Sequence, residues 1–72
     1  MSSVPSGIYR HYKGNNYLVL GVATHSETRE QLVVYRALYG DYALMVRPLA
    51  QFVESVTVDG YSGPRFNLIQ AD

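Results

Sequence analysis

Short β-prone runs alternate along this chain with clusters of turn-forming residues, and that alternation is the feature that most restricts its fold. Ile8-Tyr9-Arg10-His11-Tyr12 is followed by Lys13-Gly14-Asn15-Asn16, whose residues tolerate positive φ and suit a tight hairpin turn. Tyr17 to Thr24 is the longest β-prone run, rich in Tyr, Val and Leu, with Gly21 inside it. A glycine in a strand interior usually marks a bulge or a sharp bend, which a small sheet needs in order to curl. The polar stretch from His25 to Glu30 reads as a hairpin loop, because a third β-rich run, Gln31 to Leu38, follows at once. Tyr39-Gly40-Asp41-Tyr42 forms the next turn and Ala43 to Arg47 the fourth strand.

The second half is less regular. Pro48 cannot donate a ladder hydrogen bond, so it ends the fourth strand or lies on an edge. Leu49-Ala50-Gln51-Phe52 suits one 3₁₀ turn that tucks Leu49 or Phe52 inward. Val53 to Val58 is a fifth strand, Asp59-Gly60 opens a loop expected to run on to Gly63-Pro64, and Arg65 to Ile69 forms a short sixth strand. These elements make one β domain over residues 7–69, with residues 1–6 and 70–72 as flexible ends.

Alternation sorts the side chains into faces. Leu18, Leu20 and Val22 share one side of the second strand, and Tyr17, Val19 and Ala23 the other. In the third, Leu32, Val34, Arg36 and Leu38 oppose Val33, Tyr35 and Ala37. Both faces of both strands are apolar, so something must cover the second face: a curled edge, the terminal strand or another copy of the chain. Glu54 falls on the same side as Phe52, Val56 and Val58. An unpaired buried carboxylate would cost several kcal/mol, so it belongs at a rim or in a pair. Arg36 and Arg47 raise the same question with opposite sign, and pairing among these three charges is the structural expectation.

Composition narrows the function classes. The 72 residues carry six basic and six acidic side chains, for a formal net charge of zero. A dedicated duplex-binding domain would be clearly basic, since its affinity comes largely from neutralising phosphates. The absence of cysteine rules out disulfides and thiolate metal sites and fits a cytoplasmic setting. The N-terminal residues lack a secretory pattern, and no apolar run approaches the roughly 20 residues of a membrane-spanning helix. A core this small rarely supplies more than about 3–5 kcal/mol, which leaves room for a stabilising partner chain.

The residues do not assemble a recognisable catalytic site. His11 and His25, the two histidines, lie on separate segments with no ligand spacing, so neither a metal nor a cofactor is expected. His25-Ser26-Glu27 places base, nucleophile and acid in succession, but neighbours in an extended chain point to opposite faces. A loop that satisfies its own backbone through Ser26 and Thr28 is the plainer reading. The seven tyrosines and the arginines carry more weight. Tyr35, Arg36, Tyr39 and Arg47 combine aromatic faces with guanidinium groups, a set that stacks on bases and holds phosphates, or anchors a peptide. For each tyrosine alone, packing on a pleated surface is the plainer account.

Taken in order, Gly7-Ile8-Tyr9-Arg10-His11-Tyr12-Lys13-Gly14, Tyr17-Leu18-Val19-Leu20-Gly21-Val22-Ala23, His25-Ser26-Glu27-Thr28, Val33-Val34-Tyr35-Arg36-Ala37-Leu38-Tyr39-Gly40, Val46-Arg47-Pro48 and Phe52-Val53-Glu54 resemble the DUF1653 family of short bacterial proteins. The resemblance spans Gly7 to about Phe66. It implies a compact β domain in a bacterial cytoplasm and, because the family is of unknown function, no activity. Where the family pattern has a tryptophan before Val-Arg-Pro, this chain has Met45.

The sequence therefore describes an all-β domain: a small SH3-like antiparallel barrel or a strongly curled sheet of five to six strands. Its leading function is a non-catalytic binding or protein-interaction module, with a homodimer or a larger protein as partner and no membrane. RNA or single-stranded DNA binding through the Tyr/Arg surface is the alternative. A small-molecule or enzymatic domain using His25, Glu27 and Glu54 comes third. The candidate ligand-binding residues are His25, Ser26, Glu27, Thr28, Tyr35, Arg36, Tyr39, Arg47 and Glu54.

Overall fold

The computed structural model describes residues 4–72 and holds seven strands and one helical turn. β1 (Gly7–His11), β2 (Asn16–Thr24), β3 (Gln31–Ala37) and β4 (Leu44–Pro48) form a meander, followed by α1 (Leu49–Phe52). β5 (Ser55–Val58) and β6 (Tyr61–Pro64) make a hairpin, and β7 (Phe66–Ala71) returns beside β1. The larger sheet is antiparallel in the order β4-β3-β2-β1-β7, with the two-stranded β5-β6 sheet separate from it. The fold is all-β, as the alternation predicts. The sheet is not closed into a barrel, because among the described residues β4 and β7 remain two unpaired edges.

The sheet nevertheless curls. Neighbouring strands lie about 4.8 Å apart, so a flat sheet would hold β3 and β7 roughly 14 Å from each other. Yet the Tyr35 ring of β3 and the Phe66 ring of β7 have centroids 5.8 Å apart. Two bulges supply the bend. One lies where Leu20 is skipped between Val19↔Tyr35 and Gly21↔Val34. The other lies where Ile69 is skipped opposite β1. Gly21 thus marks the irregularity expected of it.

That first bulge changes the face assignment beyond Leu20. Tyr17 and Val19 point inward as expected, but Val22 then pairs with the fully buried Val33, while Ala23 pairs with the outward Leu32. Strict alternation put Val22 outside and Ala23 inside. One extra residue exchanges them. In β3, where no bulge intervenes, Val33, Tyr35 and Ala37 face inward as alternation predicts.

The core consists of Tyr9, Tyr17, Val19, Val33, Tyr35, Ala37, Leu49, Phe52 and Phe66, with Val4 and Met45 packed against it. α1 covers the inner face, and both Leu49 and Phe52 are buried. This turn is α rather than the expected 3₁₀, since the Val53 amide reaches back four residues to the Leu49 carbonyl at 3.1 Å. The loop expected between Gly60 and Pro64 is instead β6. Asp59 and Gly60 have φ of 44° and 83°, the positive pair that a two-residue hairpin turn requires, so pairing resumes at once at Tyr61. Pro64 is tolerated at the end of β6 because a two-stranded ribbon leaves its outer side unpaired.

β7 continues past Ile69, with Gln70 and Ala71 paired to Ile8 and Gly7. The approach is close enough that a Cβ on Gly7 would collide with the Gln70 carbonyl oxygen, and Gly7 has φ of 146°, so glycine is required there. Of the expected flexible N-terminal segment, residues 1–3 lie outside the described residues. Pro5 accepts a hydrogen bond from the Tyr9 hydroxyl at 2.7 Å.

Candidate functional site

β1, β3, β4 and β7 each bring a side chain to one end of the inner face. Register places Tyr9 and His11 inward on β1, Tyr35 inward on β3, Met45 and Arg47 inward on β4, and Phe66 opposite His11 on β7. The rings form a continuous cluster. Tyr17 meets Tyr35, Tyr39 and Phe66 edge-on at centroid distances of 5.4, 5.6 and 5.6 Å. His11 lies edge-on to Phe66 at 4.9 Å and beside Tyr12 at 4.5 Å, and Tyr12 is nearly parallel to Tyr61 at 5.8 Å. Packing explains the inner rings, while Tyr39 is exposed and Tyr12 and Tyr61 are half-exposed.

Cations rim this cluster. The Arg47 guanidinium lies over Phe66, 5.9 Å from its centroid, and its Nε donates to the Tyr35 hydroxyl at 3.4 Å. Lys13 Nζ lies 5.9 Å from the Tyr12 centroid. Arg65 donates from Nη2 to Glu54 Oε1 at 3.0 Å, and its buried Nε has no hydrogen-bond partner among the described residues. His11 registers all three. Burial first, then the charges of Arg65, Arg47 and Lys13, hold its imidazole below the usual value of 6.5. Its Nδ1 accepts the Lys13 backbone N–H at 3.1 Å, a use that suits the neutral ring. Burial, followed by the hydrogen bond with Tyr39, pushes the Tyr17 hydroxyl up to about 12. Next to this end, Tyr12, Lys13, Val58, Asp59 and Tyr61 line a depression of about 490 Å³.

The structure gathers only part of the candidate set. Tyr35, Tyr39 and Arg47 join this end of the sheet. Arg36 does not: it pairs in register with Leu18 and Leu44 on the outer face, and its Nη1 donates to the Tyr42 carbonyl at 2.8 Å. Glu54 is paired, but with Arg65 rather than with Arg36 or Arg47 as expected. The β5–β6 hairpin brings Arg65 beside Glu54, next in register after Ser55↔Pro64, and the Arg65 amide donates to the Glu54 carbonyl at 2.9 Å.

His25, Ser26, Glu27 and Thr28 occupy the β2–β3 loop, where β2 and β3 end at the pair Thr24↔Gln31. That loop satisfies itself, through Thr28 as expected and through His25 in place of Ser26. His25 Nδ1 accepts the backbone N–H groups of Glu27 and Thr28 at 3.2 and 3.3 Å, and Thr28 Oγ1 accepts that of Glu30 at 3.2 Å. Glu54 follows α1 and pairs with Arg65, and among the described residues neither His25 nor Glu27 makes a side-chain hydrogen bond or ion pair with it. The sequence reading missed His11, Tyr12, Lys13, Tyr61, Arg65 and Phe66. The run His11-Tyr12-Lys13 was visible as a basic-aromatic triplet, but the approach of Phe66 and Arg65 depends on β7 returning to β1.

Among the described residues, no group of three or more His, Cys, Asp or Glu side chains is placed to hold a metal. None of the helices there is long and apolar enough to cross a membrane.

Comparison with known proteins matches residues 7–68 to a family described as a protein of unknown function, DUF1653. The chain is also similar to a solved crystal structure of a DUF1653-family protein from Bordetella bronchiseptica. The two are 38% identical, the match covers 96% of this chain and 91% of that one, and the TM-score is 0.87. A search of curated proteins finds no match.

Proposed function

The chain belongs to the DUF1653 family, and from its cation-rimmed aromatic end we propose that it is a non-catalytic binding module for single-stranded nucleic acid. The observation that carries this reading is the gathering of Arg47, Arg65 and Lys13 around the His11, Tyr12 and Phe66 rings, against two carboxylates: Glu54, paired with Arg65, and Asp59, which lines the depression with Lys13. A local excess of cations favours an anionic ligand. Tyr12, Tyr39 and Tyr61 spread accessible ring edges and faces around those cations, which suits a chain of stacked bases and phosphates better than a compact anion. The net charge of zero does not oppose this, because what meets a ligand here is local: Arg47, Arg65 and Lys13 outnumber Glu54 and Asp59 at this end. A bacterial cytoplasmic setting belongs to the same proposal.

Fluorescence anisotropy with a labelled mixed-sequence single-stranded oligonucleotide tests it. Binding at low salt should weaken steeply as salt rises, and Arg47→Ala and Tyr39→Ala should each weaken it by roughly tenfold, about 1–3 kcal/mol per lost stacking contact. The absence of binding at low salt would end the reading. A protein partner is a second reading, favoured by the outer face, where Leu44 and Val46 are 56% and 57% exposed.

A further inference from the structure

The depression lined by Tyr12, Lys13, Val58, Asp59 and Tyr61 lies where the β5–β6 turn meets the residues that follow β1. Its volume of about 490 Å³ falls within the range of about 300–1,000 Å³ typical of ligand pockets. Its aromatic wall is held in place. The Tyr61 hydroxyl donates to the Pro64 carbonyl at 2.7 Å and accepts from Asn67 Nδ2 at 3.2 Å. Gly63 makes room for that pose, since a Cβ there would come within 2.9 Å of the hydroxyl. Tyr12, nearly parallel to Tyr61, is anchored through its backbone N–H, which donates to the Arg65 carbonyl at 3.0 Å.

Asp59 is the member of this wall that phosphate binding does not explain. It is exposed and forms no ion pair among the described residues, with Lys13 or any other cation. Its φ of 44° accounts for a short polar side chain, because the turn needs residues that accept positive φ. It does not account for the charge, since asparagine fills that position as well as aspartate does. A carboxylate repels a phosphate backbone and only accepts hydrogen bonds, so what it can hold is an edge with donors side by side. Guanine presents such an edge, with N1–H and the 2-amino group adjacent and matched to two carboxylate oxygens. Adenine and cytosine set an acceptor beside their amino group, and thymine and uracil flank their N–H with two carbonyls. Resting on the reading of this end as a single-strand binder, we propose that the depression is a guanine-selective pocket. The base lies against the Tyr12–Tyr61 wall, Asp59 accepts from N1 and the 2-amino group, and Lys13 meets the adjacent phosphate.

The test titrates the full chain by anisotropy with labelled oligothymidine, with the same strand carrying one central guanine, and with inosine in place of that guanine. Inosine keeps N1–H but lacks the 2-amino group. The guanine strand should bind more tightly than the other two by roughly tenfold, the scale of one bidentate base contact. Asp59→Asn retains the turn chemistry, so it should erase this preference, and it should tighten oligothymidine because a charge opposing the phosphates is gone. Tyr12→Ala should weaken all three strands by about tenfold, the scale of one stacking contact. Equal affinity for the three strands at low salt would overturn the pocket and leave the single-strand reading standing. So would a guanine preference that inosine shares, one that survives Asp59→Asn, or indifference to Tyr12→Ala. Binding of none of the strands would end both.

Discussion

The Phe52 ring of α1 lies flat on the Phe66 ring of β7, with centroids 4.1 Å apart and planes 6° from parallel. These are the two phenylalanines of the chain, and together they close the inner face of the curled sheet. Truncating such a ring to alanine costs about 3–5 kcal/mol, as much as a core of this size supplies. Phe52→Ala is therefore expected to be unfolded at 25 °C by circular dichroism. Phe52→Leu, which keeps most of the volume, should stay folded and lose about 1–3 kcal/mol in urea titration. A folded, cooperative Phe52→Ala protein would show that the contact is dispensable.

Acid should weaken the fold through His11. Burial and the charges of Arg65, Arg47 and Lys13 hold its folded-state pKa below 6.5. The unfolded chain then takes up the proton first as pH falls. Stability attached to the neutral ring is present above about pH 6.5 and is lost as pH drops from there toward the lower folded value. His11→Asn preserves an acceptor for the Lys13 amide and removes the titration, so its unfolding midpoint should fall less steeply between pH 7 and pH 5. Identical slopes for both proteins would exclude this coupling.

At the alkaline end the sensitive group is Tyr17. Its hydroxyl is pushed up to about 12 by burial and by its hydrogen bond with Tyr39. The unfolded chain loses this proton near pH 10, so the stability of the neutral form is present below pH 10 and declines as pH rises toward 12. Burial also raises the Tyr9 hydroxyl, and beside it absorbance titration at the phenolate band should show a second late-ionising tyrosine, Tyr17, in the wild type. Tyr17→Phe should lack it and lose less stability over that interval.

How much of this was readable in the sequence follows from what each feature depends on. β1 to β4 depend on local runs and turns, and the sequence places each of them to within a residue or so. The inward set of β3 depends only on a period of two and is read correctly. Val22 and Ala23 fail because a bulge adds one residue, and Gly21 announced the bulge without giving its direction. β6 fails for a chemical reason: Gly63-Pro64 looks like loop material, yet a two-stranded ribbon has room for a proline at its end. The site is only half legible because its members come from segments far apart in the chain. Tyr35 and Arg47 share a face through local pairing, whereas Phe66 and Arg65 arrive through β7. No periodicity in a single sequence reveals that return.

Glu54 gives the sharpest test of the aromatic end. Its carboxylate, 55% exposed, occupies the Arg65 guanidinium through a 3.0 Å contact, and ion pairs at this exposure contribute about 0–1 kcal/mol. Glu54→Gln should therefore leave the unfolding midpoint nearly unchanged. It should also release Arg65 as a further phosphate contact beside Arg47 and Lys13. Affinity for the labelled oligonucleotide is expected to rise, and the slope of log affinity against log salt to steepen by about 0.7, the increment for one additional phosphate on a single strand. Arg65→Gln should shift both quantities the opposite way or leave them at wild-type values. If Glu54→Gln instead weakens binding at constant stability, Glu54 positions Arg65 for the ligand rather than competing with it.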